Sequence, residues 1–372
     1  MHGTGAAAGG VNGSTQPCRV LVSAHNPSFP RIPAGTQQSP SRKYSDMSIQ
    51  WFPGHMNTTK QAIAERVPEI DVVIELLDAR LPGSSANPLL ADLTRGKPAL
   101  KVLNKQDLAD PELTALWLAH YQAQPGTKAL ALDASATAPA RQLIAVCREL
   151  APLRGGMVKP VRVLICGIPN VGKSTLINTL AGQRAAKTGD EPGITKLEQK
   201  IMLASDFHLF DTPGMLWPRI TVEQSGYHLA ASGGIGRNAY DEEEVAMALL
   251  GSVRQRYGDR LRARYKLDDF SASSVISDEA LLADLGRKRG GLLAGGRVNM
   301  QKAAEIAIND FRTGNWGRIT LETPAQFAQW WAAGQLLDAE RHAKREKRNA
   351  KKTPQRDDAG TAEAPSTPSC AE

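Results

Sequence analysis

Asn104-Lys105-Gln106-Asp107 precedes Gly167-Ile168-Pro169-Asn170-Val171-Gly172-Lys173-Ser174, and both precede Asp211-Thr212-Pro213-Gly214. Each string carries one part of the chemistry of a guanine-nucleotide site. In the middle string the glycines let backbone N–H groups curl around a β-phosphate. Lys173 brings a cation to the β/γ oxygens, the Ser174 hydroxyl suits Mg²⁺, and Thr175 reaches the α-phosphate at the positive end of a helix. The Asp107 carboxylate can accept from both N1–H and the exocyclic amine of guanine, a donor pair that adenine lacks. Asn104 either braces that loop or meets the base edge, and the Lys105 stem packs on the ring face. Asp211 holds Mg²⁺ through water, and the Gly214 N–H meets the γ-phosphate. Thr195, in Pro192-Gly193-Ile194-Thr195, is the expected switch residue, its hydroxyl on Mg²⁺ in the triphosphate state. Ala134-Ser135-Ala136 suits a loop whose backbone N–H reads guanine O6. Many GTPases place a water-orienting glutamine just after the glycine of the third string. Here that position is Met215, so either hydrolysis is slow or another group orients the water.

The order of these strings is itself informative. The ordinary GTPase chain begins with the phosphate loop and ends near the base reader. Here the base reader leads, which marks a circular permutation. The elements needed to position the strings are legible as short apolar runs. Asp71–Leu77, Ala99–Leu103, Ala129–Leu132, Val161–Cys166, Lys200–Leu203 and His208–Phe210 read as strands; Met56–Arg66, Pro111–Tyr121, Ala140–Leu150 and a segment opening near Lys173 read as helices. The alternation predicts an α/β fold: a P-loop GTPase domain with permuted motif order and a mostly parallel sheet covered by helices on both faces. Past about Ser225 the strand signal fades, and Asp241 opens a helix whose first turn is acidic. The expected organisation is a disordered leader over 1–46, a GTPase domain over 47–224, a small all-helical domain over 225–322, and a basic, largely disordered tail over 323–372. Initiation at Met47 is an alternative account of the leader.

The chain has 372 residues, 41% of them hydrophobic, and a formal net charge of +7, with a pI of about 9.2. That basic excess points to an anionic partner, nucleic acid first. Cys18, Cys147, Cys166 and Cys370 are widely spaced, so neither a zinc site nor a disulfide framework is indicated, and a reducing compartment fits. No apolar run is long enough for a membrane span.

With these residues in hand, the chain closely resembles the ribosome biogenesis GTPase A family from Met47 to about Leu321. The most specific pieces are Ile49-Gln50-Trp51-Phe52-Pro53-Gly54-His55-Met56, Asp78-Ala79-Arg80, the three strings above, Thr188-Gly189-Asp190-x-Pro192-Gly193-Ile194-Thr195, and Leu216-Trp217-Pro218. The resemblance implies a cytoplasmic bacterial factor for late assembly of the large ribosomal subunit. It implies a GTP/GDP and Mg²⁺ site with potassium stimulation, in which Asn170 matches the K⁺-ligating position. It also implies an apolar residue in place of the catalytic glutamine, with His55 at the position proposed to aid hydrolysis. The expected partners are the large subunit, its precursors and rRNA, contacted by a monomer through the helical domain. Arg287-Lys288-Arg289 is the expected specific contact there, and Arg341–Lys352, with seven Lys/Arg against one acid, adds nonspecific affinity. The competing reading is a GTP-dependent signalling or scaffold module for protein partners.

Overall fold

A strand of seven residues, Val72–Asp78, is buried along its whole length, as expected where both faces and both edges of a parallel strand are covered. It is the start of the nucleotide fold. The computed structural model describes residues 49, 51–155, 159–183, 199–267 and 276–350, without the side chains of residues 55 and 347–350. The leader over 1–46, the segment that includes Thr188–Thr195, and residues 351–372 lie outside the described residues. In chain order the described elements are α1 (His55–Arg66), β1 (Val72–Asp78), α2 (Pro82–Ser85), α3 (Pro88–Leu93), β2 (Ala99–Asn104), α4 (Pro111–Gln122), β3 (Thr127–Ala131), α5 (Thr137–Leu150), β4 (Val161–Gly167), α6 (Lys173–Ala181), β5 (Gln199–Ala204), β6 (Phe207–Asp211), α7 (Glu223–Ser232), α8 (Glu242–Tyr265), α9 (Asp278–Lys288), α10 (Met300–Thr313) and α11 (Pro324–Ala350).

The strands form a sheet in the order β3-β2-β1-β4-β6-β5. All pairings are parallel except β5 with β6. The chain therefore walks outward from β1 to β3, returns through α5 to lay β4 beside β1, and builds the other half. This is the permuted, mostly parallel sheet read from the motif order. The register brings the chemistry to one edge: Asp78 stands opposite Asn104, Leu76 opposite Gly167, and Ile165 opposite Asp211. These are the carboxyl ends of the strands around the central pair, where open α/β sheets bind ligands.

Past β6 the described structure is helical. Asp241 caps α8 by accepting from the Glu243 and Glu244 N–H groups. Val245, Leu249, Val253, Tyr257, Leu261 and Tyr265 form its buried stripe, at the spacing of one helix face. The backbone breaks helical geometry at Tyr257, whose hydroxyl donates to Asp110 at the start of α4. The apolar core runs without a break from the sheet into α8, α9 and α10. Residues after α10 return to the nucleotide fold, where the Ile319 N–H donates to Leu108 O and the Leu321 N–H to Arg80 O.

Where the sequence suggests that a largely disordered tail begins, the structure has a 27-residue helix, α11. The reason is an aromatic face that the basic composition beyond Arg341 overshadows. Phe327 presses on Gly83 so closely that a Cβ there would meet its ring at 2.5 Å. Trp331 stacks on Phe327 at 6.2 Å, and Trp330 meets the His228 ring edge-on at 5.8 Å. No helix among the described residues is long and apolar enough to cross a membrane.

Candidate guanine-nucleotide site

The phosphate loop leaves β4 at Gly167 and enters α6 at Lys173. Gly172 sits at φ +96°, and a Cβ there would collide with the Asn104 side-chain amide, so both backbone and space require glycine. That contact joins two of the three strings. Asn104 Nδ2 donates to Val171 O at 2.7 Å, and its Oδ1 accepts from the Ala134 N–H at 2.8 Å. Of the two roles open to Asn104, the geometry shows the brace: one buried amide ties the phosphate loop, the base-reading loop and the loop after β3 together.

Lys105 adopts φ +61° and donates from Nζ to Asn170 O and to Asp78 Oδ2, both at 3.0 Å. Asp107 is exposed. Among the described residues no hydrogen bond or ion pair occupies its carboxylate, which is what a base acceptor needs. The Gln106 N–H donates to Leu132 O at 3.3 Å, linking this loop to the end of β3. The loop after β3 differs from expectation. The Ala134 N–H goes to Asn104, the Ser135 N–H to Asp133 Oδ1 at 2.9 Å, and the Ala136 N–H to Asp133 O at 3.0 Å. All three donors are engaged, so a base oxygen here would share the N–H of exposed Ser135 with Asp133.

Lys173 and Asp211 form a buried ion pair at 2.5 Å, with the lysine 6% and the aspartate 0% exposed. The other carboxylate oxygen, Asp211 Oδ2, is buried without a hydrogen-bond partner among the described residues. Burial pushes the Asp211 carboxyl above its usual range, against the pull of Lys173 and the Thr212 N–H. Ser174 is half-buried and Thr175 exposed at the start of α6. Gly214 packs on the phosphate loop: a Cβ there would lie 2.8 Å from Pro169 Cα. Met215 is buried, its N–H on Gly167 O at 3.1 Å and its carbonyl accepting from Asn87 Nδ2 at 2.8 Å. Its side chain belongs to the core and offers no hydrogen bond to water. The Asn170 Nδ2 donates to Gly233 O at the end of α7 at 2.9 Å. His55 opens α1; its side chain, like all of Thr195, lies outside the described residues.

Residues outside the three strings also hold this site. Arg80 is 2% exposed and grips Asp78 with two N–H···O bonds, Nε to Oδ1 at 2.9 Å and Nη2 to Oδ2 at 2.8 Å. Its Nη1 donates to Phe311 O in α10 at 3.1 Å, and its guanidinium lies over the Phe311 ring. Burial alone would raise the Asp78 carboxyl, but Arg80 and Lys105 outweigh it and hold it well below the carboxylate range. Burial, Arg80 and Arg312 lower the Lys105 ammonium, resisted by Asp78. Arg318 donates to Ala109 O at 2.8 Å and Gln106 O at 3.0 Å, pinning the base-reading loop from the far end of the helical region. The sequence flagged the first of these through Asp78-Ala79-Arg80, one of the pieces that carry the family resemblance. The Arg318 contact had none.

The family model described as 50S ribosome-binding GTPase matches residues 162–262. The ribosome biogenesis GTPase A of Bacillus pumilus (strain SAFR-032) is 42% identical over 286 residues, covering 75% of this chain and 99% of that protein. This chain belongs to the ribosome biogenesis GTPase A family. Ribosome biogenesis GTPase A of Thermotoga maritima is 30% identical, over 74% of this chain and 95% of its own length. Outside that name, mitochondrial ribosome-associated GTPase 1 of Xenopus tropicalis is 31% identical over 73% of this chain and 94% of its own. Among solved structures, the GDP-bound structure of TM YlqF shares the fold, with a TM-score of 0.52 at 24% identity, covering 71% of this chain and 99% of that one. As a member of the ribosome biogenesis GTPase A family the chain binds guanine nucleotide and is a GTPase.

Proposed function

We propose that this GTPase is an assembly factor of the large (50S) ribosomal subunit, bound to rRNA of late precursors in its GTP state and released after hydrolysis. The observation that carries the reading is the connection of the base-reading loop to the helical region. Arg318 holds the Gln106 and Ala109 carbonyls, and Arg80 bridges Phe311 to the Asp78–Lys105 pair. These contacts support a reading in which what the helical region binds is coupled to nucleotide occupancy. The chain's basic balance, +7 overall, favours RNA over acidic protein surfaces as that partner. The organisation proposed is a GTPase domain over 47–224 and an RNA-binding helical domain over 225–322, in a monomeric cytoplasmic protein.

Within the site, Lys173 leaves Asp211 for the β/γ oxygens when a nucleotide binds. The vacated carboxylate, its second oxygen already lacking a hydrogen-bond partner, suits a divalent cation, and with Ser174 and Thr195 would hold Mg²⁺. Bound there, the ion neutralises charge on the phosphate oxygens. Asn170 is the proposed contact for K⁺. Hydrolysis is slow in the free protein because buried Met215 cannot orient water, and rises on the ribosomal particle, with His55 supplying the missing group. The test is co-sedimentation with purified large-subunit precursors in the presence of GTP, a non-hydrolysable analogue or GDP. Binding in the two triphosphate states and release with GDP are expected. Binding independent of nucleotide, or none, would remove the assembly-switch reading.

A further inference from the structure

Helix α11 is divided into two halves of opposite character. From Pro324 to Asp338 it lies on the nucleotide fold: Gly334 touches the Thr221 backbone so closely that a Cβ would meet Thr221 O at 2.7 Å. Asp338 is held by Arg219 at 2.5 Å and by the Thr221 hydroxyl at 3.2 Å. Beyond Asp338 every described residue through Glu346 is exposed. Arg341, Lys344 and Arg345 stand there at i, i+3 and i+4, one face of the helix, and the next position of that series, 348, is again an arginine.

A run of charge on a helix is ordinarily neutralised by its own neighbours, and elsewhere this chain follows that habit. Arg66–Glu69, Asp92–Arg95, Asp259–Arg262, Asp284–Arg287 and Lys302–Glu305 are all ion pairs three residues apart. In α11 the acid three residues before Arg341 is Asp338, and Asp338 is already engaged by Arg219. Glu340 stands four residues before Lys344, yet the described residues contain no ion pair between them. Arg341 lies near enough to Glu223 to offset part of the rise that burial and Glu244 impose on that carboxyl, but the described residues contain no ion pair between the two. The expected RNA patch is also exposed, but two of its three cations are engaged within the fold. Arg287 is paired with Asp284, and the Arg289 guanidinium lies over the Tyr265 ring at 5.4 Å.

We propose that the outer half of α11 is an RNA-contacting strut, in which Arg341, Lys344 and Arg345 meet the phosphate backbone of structured RNA while the aromatic inner half fixes their aim. This rests on the assembly-factor reading and deepens it by naming the surface. The matched chemistry is that of regularly spaced phosphates: adjacent helical turns present cations about 5 Å apart along one line. The inner half seats the strut on residues 219–221, just past Asp211–Gly214.

The full chain carrying Arg341→Ala, Lys344→Ala and Arg345→Ala together is compared with the parent for binding to purified large-subunit precursors and to a labelled double-helical RNA across a salt series. Tryptophan fluorescence and GTP affinity report whether the inner half remains docked. The expected result is RNA binding weakened at least about tenfold, with a salt dependence shallower by about 2–3 in log–log slope, the release of counterions from roughly three phosphates. Arg341→Lys together with Arg345→Lys should retain the parental slope. Parental binding with an unchanged affinity and slope in the alanine variant would overturn this surface and leave the assembly reading intact. A parent that binds neither particle nor RNA would overturn both. Leu336 and Leu337, 69% and 54% exposed, make anionic phospholipid vesicles the third arm. Vesicle binding lost in the alanine variant, with RNA binding unaffected, would reassign the surface to lipid and sink the proposal.

Discussion

Arg80 and Asp78 form a fully buried, two-bond ion pair directly behind the base-reading loop. Replacing Arg80 by Ala leaves a carboxylate enclosed with only Lys105 to answer it, and removes the bond to α10. The expected loss is about 3–5 kcal/mol of stability, the usual result of breaking a buried pair from one side. Urea unfolding with and without GDP measures it. A loss below about 1 kcal/mol would show that the pair is better solvated than its burial indicates.

The same carboxylate predicts a pH dependence. Its folded pKa lies below the unfolded value, so its contribution is complete above about pH 4. It is lost as pH falls from there toward the folded pKa. Parent and Asp78→Asn should therefore differ most in stability near neutrality and converge in acid. Thermal melts from neutral to acid pH test this; a gap that widens in acid would contradict the sign.

Asp107→Asn exchanges a paired acceptor for an amide. GTP binding should weaken by roughly 1.5–3 kcal/mol, and xanthosine triphosphate, whose 2-oxo group accepts a hydrogen bond, should gain. Because Asp107 is exposed and its carboxylate makes no hydrogen bond or ion pair among the described residues, stability without nucleotide should not change. Calorimetric titration with both nucleotides distinguishes a base reader from a bystander.

Lys173→Ala should abolish GTP turnover, since it removes a cation from the oxygens that gain charge. It should also destabilise the nucleotide-free protein, because Asp211 is then buried with no counter-charge. Lys173→Ala paired with Asp211→Asn should recover much of that stability and none of the turnover. Unchanged stability in the single variant would mean the ion pair is not formed in the free protein.

The nucleotide motifs were legible because each is a local grammar. An apolar strand, a glycine at a turn and a polar side chain at fixed spacing need no knowledge of distant residues, and Gly172, Lys173, Asn104 and Asp211 all converge at the edge of the sheet as their strings imply. The mostly parallel character of the sheet followed from the alternating strands and helices, but its strand order came only with the structure. Tertiary contacts were not legible. Arg318 reaches Gln106 across 212 positions of sequence, and no pattern in either segment names the other. The internal use of the Ser135 N–H by Asp133 was missed because an Asx turn competes locally with ligand binding. For α11 a Trp-containing amphipathic piece was legible from Thr323, but neither its full length nor its seat was: Phe327, Trp330 and Trp331 meet partners as distant in sequence as Gly83 and His228.

The permuted sheet order has one more consequence. In an unpermuted arrangement the γ-phosphate motif at the end of β6 would be followed by further strands, and any motion begun there would return into the sheet. Here β6 is the last strand described, and the chain leaves Gly214 through Met215–Val222 directly into α7. Asn87 fastens Met215 on one side and Arg219 with Thr221 fastens α11 on the other. Moving the ends of the chain therefore places the segment that follows Gly214 between the sheet and the helices, held to both by side chains, instead of returning it to a further strand.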